Sequence, residues 1–160
     1  YNVLTDIPQV KRITSVGIRD FCEEEANRAQ ESNARVKTYL DISIQKRKMK
    51  GENFALLASE IVDTLPKKVW VSFDIDGLDP RFCPNTGTPV PGGLDYHEFL
   101  ELLRAIVRTG KKIVGFDLNE VAPSSDSSQE WDANGGMRAL YKMAGATFAS
   151  HGLIPFVETA

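Results

Sequence analysis

The stretch KVWVSFDIDGLDP, residues 68–80, constrains the fold of this chain more than any other. Val69, Trp70, Val71, Phe73 and Ile75 describe a buried strand. Asp74 and Asp76 interrupt that run, where a charge is costly to bury. Alternate residues of a strand share a face, so Ser72, Asp74 and Asp76 are expected to point the same way. Gly77 and the Asp79-Pro80 pair end the strand at once. Both carboxylates then lie at its C-terminal end, the edge at which open parallel sheets bind ligands. Two anions this close repel, and either one takes a proton or a cation neutralises both. Oxygen donors of this kind suit Mg²⁺, Mn²⁺ or Ca²⁺. The plainer structural reading has one Asp capping the turn and the other in an ion pair.

A second strand, KKIVGFDLNEV (111–121), repeats the pattern. Strand alternation places Val114, Phe116, Leu118 and Glu120 on one face and Asp117 and Asn119 on the other. Glu120 comes at the C-terminal end, so it is expected on the same sheet edge as Asp74 and Asp76. Acidic ends on two neighbouring strands describe a pocket for a metal, a cationic substrate, or both. Between the strands, CPNTGTPVPGG (83–93) holds three prolines and three glycines. It reads either as an active-site wall or as a tight structural crossover.

The remaining segments alternate. Strands are expected over 12–19 and 35–42, and helices over 23–34, 51–65, 94–110 and 137–152. Phe54, Leu57, Ile61 and Leu65 form the stripe of the second helix, which Pro66 stops. Phe99, Leu102, Leu103 and Ile106 form that of the third, with Gly110 as its stop. DANGGMR (132–138) reads as a helix start with two preceding glycines. This order argues for one α/β domain with a largely parallel sheet.

Several function classes are disfavoured. The net charge of −3 gives no basic face for nucleic acid. No apolar run approaches the ~20 residues that span a bilayer, and the N-terminus lacks the apolar stretch of a signal peptide. Cys22 and Cys83 form no Cys-x-x-Cys pair and read as free thiols of a cytoplasmic protein. His97 and His151 stand away from the acidic strand ends and read as surface or packing residues. No nucleophile elbow, dinucleotide turn or phosphate loop is present. That last point counts against a Mg²⁺-dependent phosphoryl hydrolase built on Asp74 and Asp76.

SFDIDGLDP, then TGTPVPGG, then FDLNEVAP resemble the ureohydrolase family of arginases, agmatinases, formimidoylglutamases and guanidinases. The three motifs occur in the family's order, and the resemblance runs from SVGIRD onward. It implies a three-layer α/β/α fold. It also implies a binuclear centre, usually two Mn²⁺ with Ni²⁺ in guanidinase-like members, activating a hydroxide that attacks a guanidinium or amidine carbon. On that resemblance Asp74 bridges the metals, Asp76 ligates one, Glu120 receives the substrate's guanidinium, and Thr88 lines its pocket. No further catalytic residue is implied in this segment.

The family's Gly-Gly-Asp-His and Asp-x-His-x-Asp metal motifs, and the histidine that follows them, have no counterpart here. Residues 1–160 therefore resemble the C-terminal part of a single ureohydrolase domain, expected to be inactive alone. Cys22 replaces the aspartate that arginases carry after GIRD, and NEVAP with EWDANGGMRALY looks agmatinase-like. The expectation is an agmatinase-like hydrolase of a small cationic guanidino or amidine compound, releasing urea and an amine. The family also implies a cytoplasmic homo-oligomer, a trimer or hexamer, without nucleic-acid or membrane partners. The alternative is a noncatalytic subunit or assembly partner that keeps the fold without a complete metal site.

Overall fold

The computed structural model of the protein describes residues 1–126 and 128–157. A short helix α1 (Asn2–Asp6) precedes β1 (Ile13–Ile18), α2 (Glu23–Glu31), β2 (Val36–Leu40) and α3 (Asp41–Met49). Then follow α4 (Phe54–Asp63), β3 (Lys68–Asp74), α5 (Tyr96–Arg108), β4 (Lys112–Asn119) and α6 (Trp131–Ser150). The class is α/β, as expected. Among the described residues every strand pairing is parallel, in two separate pairs, β1 with β2 and β3 with β4. Among the described residues no helix is long and apolar enough to cross a membrane.

Apolar spacing explains the helices that carry the core. In α4, Leu57, Ala58, Ile61 and Val62 are buried, and Asn53 caps the start by accepting from the Ala55 amide at 2.9 Å. In α5, Phe99, Leu100, Leu103, Ala105 and Ile106 are buried. Asp95 and Glu98 close a reciprocal capping box there, satisfying amides that the first turn leaves free. These faces meet Ile75, Leu78, Ala139 and Met143 in the main core. Phe73 of β3 stacks on Phe99 with ring centroids 4.1 Å apart.

Three segments differ from the sequence expectation. Residues 41–49 form α3, which was not expected and which takes over the last two residues of the strand expected over 35–42; its Asp41 and Ile44 are buried. The last helix begins at Trp131 rather than 137, so Gly135 and Gly136 lie inside it. Gly136 is small because Val121 packs on it: a Cβ there would lie 2.8 Å from Val121 Cγ1. Finally, β3 ends at Asp74, and Ile75–Gly77 turn into a 3-10 helix. Asp76 is therefore not a strand residue, and it does not share the face of Ser72 and Asp74 by strand alternation.

The pairing of β3 and β4 fixes the geometry of the candidate site. A bulge at Val114 shifts the register, pairing Val69 with Ile113 but Trp70 with Gly115. Val71, Phe73, Phe116 and Leu118 then pack on the core. Val114, expected on that same face, turns outward and is 52% exposed. The outer face carries Trp70, 60% exposed, whose ring lies over Gly115. Beyond β3, Leu78 bridges Leu94, with Leu94 N donating to Gly77 O at 3.0 Å and Asp79 N to Leu94 O at 2.9 Å. This bridge returns the 83–93 loop to the sheet edge. Gly93 sits at φ +97°, and a Cβ there would lie 2.5 Å from Leu78 O. Gly93→Ala is expected to destabilise the protein by about 2–4 kcal/mol through left-handed strain and overlap. Urea unfolding checks this, and a midpoint equal to wild type would refute it.

Candidate active site at the ends of β3 and β4

Parallel pairing brings the two acidic strand ends together, with Asp74 opposite Asn119. Asp74 Oδ1 accepts from the Asp76 amide at 3.1 Å and caps the 3-10 turn. The plainer structural role thus holds for Asp74. Asp76 makes no ion pair among the described residues. The Asp74 carboxyl is pushed above its usual range, first by partial burial and then by the neighbouring charges of Asp76 and Glu120. Asp74 keeps an exposed surface in this chain, so the like charges facing it are the more telling cause. Asp74 thus lies in the field of two like charges, Asp76 and Glu120, and among the described residues none of the three makes an ion pair, an arrangement that favours a cation.

Glu120 follows the last residue of β4 and takes φ +61°, the left-handed region that costs a residue with a Cβ roughly 1–2 kcal/mol. Strand alternation therefore does not place its side chain with Phe116 and Leu118. The loop holds it instead. Thr86, buried, donates from Oγ1 to Glu120 O at 3.0 Å. A Cβ on Gly87 would lie 3.1 Å from Glu120 Oε2, so a glycine leaves room for the carboxylate. Thr88 Oγ1 lies 3.5 Å from Asp76 Oδ2. Thr86, Gly87 and Thr88 thus tie the two acidic strand ends together. The loop in turn is anchored to α6 by buried Asp132, which accepts from Asn85 N at 2.9 Å and Asn85 Nδ2 at 2.8 Å.

The structure brings Asp74, Asp76 and Glu120 to one sheet edge, with Thr88 Oγ1 beside Asp76. It adds Thr86, Gly87, Asn85 and Asp132, which sequence reading missed. An acidic residue in a tightly packed helix start was the one available signal for Asp132. Histidines take no part: His97 is exposed, and His151 Nε2 contacts Ile113 O at 2.9 Å at the far end of β4. Cys22 and Cys83 are free thiols. Cys83 is buried behind the site, where it donates to Ile75 O at 3.2 Å, and burial pushes its thiol up to about 11. No cluster of three or more His, Cys, Asp or Glu with metal-binding geometry forms among the described residues. Asp74 and Asp76 are oxygen donors of a kind that fits a divalent cation, and two carboxylates alone would fill only part of its shell. A cleft of about 520 Å³ lies nearby, between Lys48, Arg81 and Glu98, and excludes all three carboxylates of the site.

Residues 2–145 match the sequence profile of the arginase family. This chain belongs to the arginase family. It is 43% identical over 74 residues to an N(1)-aminopropylagmatine ureohydrolase of Thermus thermophilus, a match covering 46% of the chain and 25% of that protein. It is 47% identical over 90 residues to an agmatinase of Proteus mirabilis, covering 56% and 25%. Its fold is similar to that of an arginase from Bacillus caldovelox, with a TM-score of 0.70 at 24% identity, over 85% of this chain and 44% of that one. The matched region spans about a quarter of the curated relatives' length and under half of the structural neighbour's.

Upstream of the site, the outer face of the sheet carries its own network. Asp117 accepts from Trp70 Nε1 at 2.6 Å, Ser72 Oγ at 2.7 Å and Asn119 Nδ2 at 2.5 Å. These bonds, that from Trp70 foremost, hold its carboxyl below the usual range. A depressed pKa contributes stability above the unfolded value, near 3.8, and that contribution disappears as pH falls through the folded value. Asp117→Asn is expected to cost about 1 kcal/mol at pH 7 and less at pH 3. Urea unfolding at both pH values checks this; an equal cost at both would contradict it.

Proposed function

We propose that this chain is the C-terminal part of an agmatinase-like ureohydrolase, which hydrolyses a C–N bond in a small cationic guanidino or amidine compound and releases urea and an amine. The observation that carries the reading is the meeting of Asp74, Asp76 and Glu120 at one sheet edge of an arginase-family chain. Relatives named for agmatine and aminopropylagmatine favour the agmatinase-like branch.

In this reading Asp74 and Asp76 hold divalent metal, with Mn²⁺ the expected ion and two per site. Residues outside this segment, including the family's histidine-bearing motifs, complete the shell. When bound, the metal supplies Lewis acidity and lowers the pKa of an attacking water. Glu120 offers a fixed anion to a planar guanidinium, a geometry suited to paired hydrogen bonds. Thr88 and Gly87 border that position, and Thr86 sets the Glu120 backbone. The loop thus orients the substrate cation against the carboxylate pair, which is positioning rather than covalent chemistry. A homo-oligomeric assembly belongs to the same reading by family resemblance.

Two substitutions in the intact polypeptide separate the roles. Asp74→Asn should abolish metal binding and turnover together. Glu120→Gln should leave metal bound, as read by metal analysis after gel filtration. It should lower kcat/KM for agmatine by at least ~100-fold, the scale of a lost charged contact to a buried substrate. Retained turnover in Asp74→Asn would sink the assignment. Loss of metal in Glu120→Gln would move that residue from the substrate to the metal shell.

A further inference from the structure

We propose that Arg19 is a positioning residue for the Asp74–Asp76 carboxylate pair, clamping the turn that carries them. The inference rests on the metal-holding role given to that pair above. Arg19 follows β1, which pairs with β2 and not with β3. Its side chain nevertheless crosses to the end of β3. Nη1 donates to Gly17 O at 3.3 Å and to Gly77 O at 3.5 Å, and Nη2 donates to Asp76 O. One guanidinium thus joins its own strand end to two successive carbonyls of the 3-10 turn.

That contact decides the orientation of Asp76. The Asp76 amide is held by Asp74 Oδ1, and the Asp76 carbonyl by Arg19. With both flanking peptide groups fixed, the Cα–Cβ bond has one direction left to take. Electrostatics makes such a clamp necessary. Asp74, Asp76 and Glu120 repel before any cation arrives, and a one-turn 3-10 segment is weak on its own. A planar fork suits adjacent carbonyls that a single ammonium reaches less well.

Arg19 is itself held in place. Its Cδ lies against Gly92, where a Cβ would sit 3.4 Å away, and Asp41 Oδ2 lies 2.6 Å from the same point. Asp41 is buried and accepts through Oδ1 from Gln45 Nε2 at 3.1 Å and Gly93 N at 3.2 Å. Arg19 Nε is buried without a hydrogen-bond partner among the described residues. A buried donor left unpaired is costly, so the side chain is kept at this place for what its other two nitrogens do. The 83–93 loop, closing over Arg19 at Gly92, belongs to the same unit as Gly87 and Thr88. One partly buried cation therefore touches both the 3-10 turn and the 83–93 loop.

The test is a Mn²⁺ titration by calorimetry on the intact polypeptide. Wild type, Arg19→Lys, Arg19→Met and a core control, Leu103→Ala, are compared, with thermal midpoints recorded beside them. Arg19→Lys and Arg19→Met are expected to bind Mn²⁺ roughly ten-fold or more weakly. Leu103→Ala should lower the midpoint at least as much and keep its Mn²⁺ affinity within about two-fold, since a lost core side chain acts on stability. Excess Mn²⁺ should restore kcat in Arg19→Lys with KM near wild type. Wild-type affinity in Arg19→Lys, or a loss no greater than in Leu103→Ala, would overturn the proposal alone. Absence of Mn²⁺ binding in wild type would overturn both this proposal and the metal-holding role. If Arg19→Met does not fold, Arg19→Lys decides.

Discussion

Like charge gathered around Asp74, from Asp76 and Glu120, is the constraint on which this sheet edge depends. Asp74, Asp76 and Glu120 arrive at one edge because β3 and β4 pair in parallel, with Asp74 opposite Asn119. Parallel pairing aligns both C-terminal strand ends, and nothing in the strands themselves relieves the like charge. The relief is structural. Asp74 turns one oxygen to the Asp76 amide. Glu120 is held in the left-handed region by Thr86. The fold thus keeps an arrangement that carboxylates alone would escape by moving apart or taking a proton.

Keeping them there requires a stiff frame. Phe73 stacked on Phe99, with Val71, Phe116 and Leu118 against the main core, anchors both strands just upstream. Asp132 ties Asn85, and through it the loop, to α6, whose packing on Val121 needs Gly136. Each tie is an ordinary hydrogen bond or contact of about 1 kcal/mol net. Their value lies in cooperation. The loop is fixed at Asn85, Thr86 and Gly93, so the intervening Gly87 and Thr88 have little freedom left. Backbone strain at Glu120 is tolerable in such a setting because the surroundings over-determine its conformation.

The sequence disclosed what depends on periodicity and hid what depends on tertiary contact. Strand runs at 68–74 and 112–119 and the stripes of α4 and α5 were legible because burial repeats along them. Asp74 and Glu120 were legible as charges breaking an apolar run. The motif resemblance to ureohydrolases agrees with the family match over residues 2–145. By contrast, the apolar rhythm of the strand runs on through Ile75 and makes Asp76 look like a strand residue, whereas Ile75 is fully buried in a 3-10 turn. Glycines ordinarily break helices, which hides the start of α6, whereas here they admit Val121 and Phe82. The bulge at Val114 was invisible, since an extra residue in one strand leaves no mark on composition. Thr86, Asp132 and Arg19 act across long sequence separations, and no local pattern reports that.

The same logic explains how these residues are oriented by their own surroundings. Every contact that orients Asp74, Asp76 and Glu120 comes from within residues 13–150: Arg19 from β1's end, Thr86 and Gly87 from the loop, Asp132 from α6. The outer face of β3 and β4, with Trp70 and Val114 exposed, contributes none of these ties. Positioning and coordination are therefore separable here. In the proposed reading, Asp74 and Asp76 would offer oxygen donors and Glu120 an anion whose backbones are already fixed by these ties. A metal shell assembled across two parts of a fold needs one part to be rigid, because two mobile halves would each lose conformational entropy on binding. On the proposed metal-holding role, the contacts on Asp76 and the left-handed backbone held at Glu120 would let this segment serve as the rigid part.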